Sequence, residues 1–167
     1  MREIKITEFS AKPVSIWLEE WFILTAGNME DYNAMAVAWG SFGGMWNKPF
    51  AQVVVRPTRY TYEFMEKYDT FTLCSFPEEH RKAVTLLGTK SGRDSDKITE
   101  SGLTIVSSQK VDTPSFKEAN LILECKKIYW QDMDPNHFLD EKVIGQYPQK
   151  DYHRIYFGQI LGIFAKE

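Results

Sequence analysis

The apolar residues of this chain come in short runs closed by turn formers, and no run approaches the 18 residues of a membrane-spanning helix. WFILTAGN (21–28), FAQVVVR (50–56), TFTLCSF (70–76), LTIVSS (103–108), ANLILECKKIYWQDM (119–133) and RIYFGQILGIFAK (154–166) are rich in β-branched and aromatic residues. Those residue types and lengths are the signature of strands. WFILTAGN ends at Gly-Asn, and MEDYN leads into NAMAVAW (33–39), which predicts a hairpin. In the 119–133 run, Leu121, Leu123 and Cys125 share a face while Ile128 and Trp130 take the other parity. That slip predicts a β-bulge near Lys126–Lys127.

Only two stretches read as helix. PTRYTYEFMEKYD (57–69) places Tyr60, Phe64 and Tyr68 at i, i+4 and i+8, with Tyr62 and Met65 beside them, and Thr58 or Thr61 can cap the helix. The other opens at Pro77 with acids in its first turn and stops at Gly88. Residues 133–151, rich in Asp, Pro and Gln, are expected to form a loop. Few, local helices between many strands predict a mainly β fold, an antiparallel barrel, and the 167 residues are expected to form one domain over 1–167.

The net charge of −3 argues against a nucleic-acid binder, which needs a clustered excess of Lys and Arg. Cys74 and Cys125 each lie in an apolar strand-like run, as expected of reduced thiols in a cytoplasmic protein. The amino terminus, MREIKITEF, has no apolar signal-peptide core, so neither export nor membrane insertion is expected. Five Trp, eight Tyr and eleven Phe point to a tightly packed β core or to a site that uses flat, polarisable surfaces.

GSFGG (40–44) has the spacing of neither dinucleotide-binding nor nucleotide-triphosphate glycine loops, and a turn between strands is its ordinary reading. His80, His137 and His153 are far apart and lack a second ligand at metal spacing, so no metal site is expected. Cys74 reads as a packed thiol. VVVRPTRYTYEF (53–64) is more specific: Arg56 and Arg59 bracket a strand-to-helix turn, with Thr58 and Thr61 adding hydroxyls. Two guanidinium groups and a helix start suit a terminal phosphate monoester. Pairing of the arginines with surface acids is the competing use. The loop with Ser91, Gly92, Arg93 and Lys97 could close over the same phosphate.

Taken together, NAMAVAW, VVVRPTRYTYEF, SGRDSDK, HFLD and DYHRIYFGQI resemble the flavin reductase-like family of FMN-binding split barrels, which includes flavoredoxin. The resemblance implies an antiparallel split β-barrel with a few short helices, a homodimer, and FMN at the dimer interface. It implies that the strand carrying Asn33, Met35, Val37, Ala38 and Trp39 offers backbone groups to the isoalloxazine edge, with Ala36 and Ala38 letting the ring approach. It places Arg56, Thr58, Arg59, Tyr60, Thr61, Ser91, Gly92 and Lys97 around the phosphate and ribityl chain, and His137 near the flavin. Many members carry Thr and Ser where this chain has Ala36 and Ala38. The implied activity is reduction of flavin by NADH or NADPH with onward electron transfer to an unnamed acceptor, and no side chain is singled out as catalytic. A flavoredoxin-like electron carrier without its own nicotinamide activity is the alternative.

Overall fold

The computed structural model describes residues 1–166. Its strands are β1 (Arg2–Glu3), β2 (Phe22–Gly27), β3 (Tyr32–Val37), β4 (Gly40–Met45), β5 (Lys48–Val55), β6 (Thr70–Ser75), β7 (Ile105–Val106), β8 (Ser115–Phe116), β9 (Leu121–Asp132) and β10 (Arg154–Ala165). The helices are the short α1 (Pro13–Ser15), continued by a π-turn over Ile16–Glu20, then α2 (Tyr60–Lys67), α3 (Arg81–Thr89), α4 (Lys97–Ser101) and α5 (Glu141–Ile144).

The main sheet is antiparallel and runs β3-β2-β6-β9-β10-β5-β4, with β1 on the far end of β10. Laid flat, seven strands would hold the two edges roughly 29 Å apart at about 4.8 Å per spacing. Yet the edges β3 and β4 are consecutive, joined only by Ala38 and Trp39. From Val37 to Gly40 the extended chain reaches at most about 11 Å. The sheet must therefore curl until the end of β3 reaches the start of β4, which makes a split barrel with a seam between these two edge strands that no ladder closes.

The barrel interior holds Leu24, Met35, Val37, Val53, Phe71, Leu123, Cys125 and Tyr156. Phe64 and Met65 of α2 join that core, as does Trp17 from the π-turn. A second apolar layer lies outside, where Ile23, Ala34, Cys74, Ile122 and Phe164 meet Val84 and Leu87 of α3, Ile98 of α4, and Phe116. The two cysteines thus sit on opposite sides of the sheet, both free. Burial pushes the Cys74 thiol up to about 12 and the Cys125 thiol up as well, so both are inert.

The expected β2–β3 hairpin forms, and the ladder slips beside Lys127, where Phe157 pairs with Tyr129 but Gly158 with Lys127. GSFGG, by contrast, is not a turn. It is strand β4, paired along its length with β5. The turn falls two residues later, at Trp46 and Asn47, both with positive φ (54° and 55°), the backbone that suits a tight hairpin. A Cβ at Gly40 would stand 2.4 Å from the Trp17 ring and 2.4 Å from the Gln52 carbonyl, so the glycine there lets strand and indole close up. NAMAVAW is strand only as far as Val37. The expected strand from 103 shrinks to Ile105–Val106. The 133–151 segment carries a 3-10 turn over Pro135–His137 and the short α5.

Candidate functional site

Three segments meet beside Asn33 and Met35 of β3: the start of α2, the end of α3 and the loop that follows α3. Between them is a cavity of about 90 Å³ lined by Asn33, Met35, Thr58, Arg59, Tyr60, Thr61, Thr89, Lys90, Ser91, Gly92 and Lys97. Arg59 is the residue that precedes α2, and neither Thr58 nor Thr61 caps the helix. Thr61 instead accepts a 2.7 Å hydrogen bond from Nδ2 of Asn33, which is only 4% exposed. Asn33 Oδ1 carries no hydrogen bond among the described residues. It does set a steric limit: a Cβ on Gly92 would lie 2.3 Å from it. Only glycine lets the loop come that close.

The cavity is cationic. Arg59 Nη2 donates to the Gly88 carbonyl at 2.7 Å. Lys97, 3% exposed, donates from Nζ to the carbonyls of Leu87 (2.9 Å) and Lys90 (3.0 Å). Both cations therefore sit on the carbonyl end of α3, where the helix dipole favours positive charge. Neither meets a carboxylate among the described residues. Burial first, and then the neighbouring Arg59, lowers Lys97 to about 8. Arg59 is lowered as well, by burial and then by Arg56. The surrounding charges are already committed: Arg93 to Glu63 at 2.5 Å and to the Tyr60 ring, and Lys90 to Glu100.

Several residues expected at the site lie outside this cavity. Arg56 turns away from the cavity: its Nη1 makes 2.9 and 3.0 Å bonds to both oxygens of Asp151, its Nη2 donates to the Gln146 carbonyl, and its guanidinium lies over the Tyr147 ring. The competing use, pairing with an acid, is the one this arginine adopts. Val37 packs inside the barrel. His137 is exposed on its 3-10 turn beside Asp134. Ala36 faces the outer layer, where a Cβ on Gly88 would come within 2.9 Å of its methyl. Its small size thus serves the approach of α3 to the strand.

Ala38 and Trp39 form the link across the seam, and Trp39 is 43% exposed. Its ring lies 5.1 Å from that of His153, whose Nδ1 is 2.7 Å from the Tyr147 hydroxyl. Burial, and then Arg56, lowers His153 to about 4, so the imidazole is neutral. Asp151 and His153 belong to the DYHRIYFGQI segment, but neither they nor Tyr147 are among the residues the sequence places at the site. The register Arg154↔Val55 is what brings His153 beside Arg56.

A flavin reductase like domain matches residues 20–165. An uncharacterised protein of Pyrococcus abyssi is 29% identical over 149 residues, covering 87% of this chain and 73% of that protein. The structure is similar to the FMN-binding domain of a flavin reductases-like enzyme from Shewanella baltica, with TM-score 0.72, 19% identity, and 98% of this chain and 76% of that one covered. It is also similar to the flavoredoxin of Desulfovibrio vulgaris, with TM-score 0.70, 21% identity, and 100% and 78% covered. At such identities these two likenesses show a common fold. The domain match runs over most of the sequence and takes in every strand from β2 to β10, and the chain belongs to the flavin reductase-like family.

Proposed function

We propose that this protein is an FMN-binding oxidoreductase that draws electrons from a reduced nicotinamide, NADH or NADPH, and passes them to an acceptor. The observation that carries the reading is the Arg59–Lys97 pair: two cations in a small cavity, held by carbonyls and lacking a counter-charge. A phosphate monoester supplies that charge. The names of the two solved relatives, an FMN-binding domain and a flavoredoxin, favour FMN as its bearer. Bound flavin would supply the redox chemistry, taking up a hydride equivalent and releasing electrons.

The chain's own residues bind and orient. Arg59 and Lys97 hold the phosphate, with the first-turn N–H groups of α2 and the Thr61 and Ser91 hydroxyls beside them. Asn33 Oδ1 is free to accept from a ribityl hydroxyl, and Trp39 offers a flat surface at the seam. The flavoredoxin likeness, which spans 100% of this chain, favours a second reading: an electron carrier with no nicotinamide activity of its own. Anaerobic mixing of the FMN-loaded protein with NADH and NADPH separates the two. Bleaching of the flavin absorbance at a catalytic rate supports the enzyme, and an unchanged spectrum that dithionite then bleaches supports the carrier.

A homodimer belongs to the same proposal. On the outside of the barrel Trp46, Tyr129, Phe157 and Phe50 form one aromatic cluster with ring centroids 5.5–5.9 Å apart. Trp46 is 55% and Tyr129 43% exposed. A contiguous aromatic patch on a sheet face suits a self-complementary interface.

A further inference from the structure

From α3 and the residue after it, Lys97 faces the carbonyls of Leu87 and Lys90, and from the start of α2 the Arg59 guanidinium. Lys90, paired with Glu100, lines the same cavity, and Arg93, paired with Glu63, and Asp94 line the neighbouring one. From β3 Lys97 faces the neutral Asn33 amide across the cavity. The acid next to it in sequence, Asp96, is turned to the Thr99 amide (3.1 Å) and hydroxyl (2.7 Å). An ammonium has three protons to donate. Two are used, and the third is left for the cavity.

We propose that this cavity selects a phosphate dianion, the terminal monoester of FMN, over the bridging diphosphate of FAD, and that Lys97 takes up a proton from solution as the dianion binds. The proposal rests on the reading that flavin phosphate occupies the cavity. A monoester with a second pKa of about 6 carries nearly two charges above neutral pH, matching the two cations. Each phosphorus of a bridging diphosphate carries one, which leaves a buried cation uncompensated. A buried ammonium beside a guanidinium holds its proton weakly, and an adjoining dianion reverses that bias. Where the amine is unprotonated, it gains the proton from buffer and donates it in a hydrogen bond to a phosphate oxygen. The lowering of Lys97 to about 8 puts the transition where it can be measured.

The test is calorimetric titration of the full chain with FMN, FAD and riboflavin at pH 7, 8 and 9, in two buffers of different ionisation enthalpy. Expected for FMN is almost no proton uptake at pH 7, about half a proton at pH 8 and close to one at pH 9, with affinity about tenfold lower at pH 9 than at pH 7. FAD should bind at least about tenfold more weakly than FMN at pH 7. Lys97→Arg, whose charge does not titrate in this range, should make FMN affinity flat from pH 7 to 9. If that variant does not fold, the parent's calorimetry decides alone. FMN affinity that is flat in the parent, without proton exchange, overturns the coupling, and FAD binding as tightly as FMN overturns the selectivity. If either happens while FMN still binds more tightly than riboflavin, the phosphate assignment stands and only this inference fails. Equal binding of FMN and riboflavin removes both.

Discussion

The indole of Trp39 rests on the imidazole of His153, ring centroids 5.1 Å apart, on the two-residue link that joins the edges of the barrel. Because Trp39 is on this link and 43% exposed, shortening it opens no large core cavity. Trp39→Phe should therefore leave the apo melting temperature nearly unchanged while FMN binds more weakly and its emission brightens. An unchanged FMN titration in a destabilised variant would remove Trp39 from the site.

Arg59 and Arg56, three residues apart, should respond differently. Arg59→Ala is expected to weaken FMN by about 1.5–3 kcal/mol and to leave riboflavin almost untouched, since only FMN carries the phosphate. Arg56→Ala should keep the FMN-to-riboflavin ratio of the parent. Its effect should appear instead as a lower melting temperature and faster proteolysis near residues 145–151, which its guanidinium ties down. A ratio that falls in Arg56→Ala and stays put in Arg59→Ala would reverse the two assignments.

His153 gives stability a defined acid limb. Its folded value of about 4 is below the unfolded value of about 6.5. Between those values the unfolded chain binds a proton that the folded chain does not, so the contribution is complete above about pH 6.5 and is lost as pH falls toward 4. At 1.36 kcal/mol per pH unit the window is worth about 3 kcal/mol. His153→Gln should flatten that limb in denaturant titrations between pH 6.5 and 4. A slope equal to the parent's would assign the loss to other groups.

Trp46 stands at the tip of the β4–β5 hairpin, on the exposed aromatic cluster. Trp46→Arg should shift sedimentation at micromolar protein from dimer to monomer while the far-ultraviolet circular dichroism stays that of the parent. A parent that already sediments as a monomer with full flavin occupancy would count against the dimer.

Much of the barrel is legible in the sequence because β2, β5, β6, β9 and β10 are built from runs rich in β-branched and aromatic residues, closed by turn formers. β4 is not legible, since its glycines have poor strand propensity. What makes Gly40–Met45 a strand is pairing with β5 and room for Trp17, and both are tertiary. The lining of the cavity is legible except for Thr89 and Lys90. Arg59, Thr61, Gly92 and Lys97 are brought together, while Thr89 and Lys90 join them only because α3 ends there. Arg56 shows the limit: it and Arg59 look alike in RPTR, and nothing local says that Asp151, held by the β5–β10 register, will claim one of them.

The seam between β3 and β4 has a mechanical consequence. Elsewhere around the barrel, separating two strands breaks a ladder of backbone hydrogen bonds, but between these two there is none to break. Opening the wall here disrupts side-chain packing but no backbone ladder, and the Ala38–Trp39 link is what ties the two edges together. The outward amides of these two unpaired edges should accordingly be among the first in the barrel to exchange with deuterium, and a ligand bound beside them should slow them.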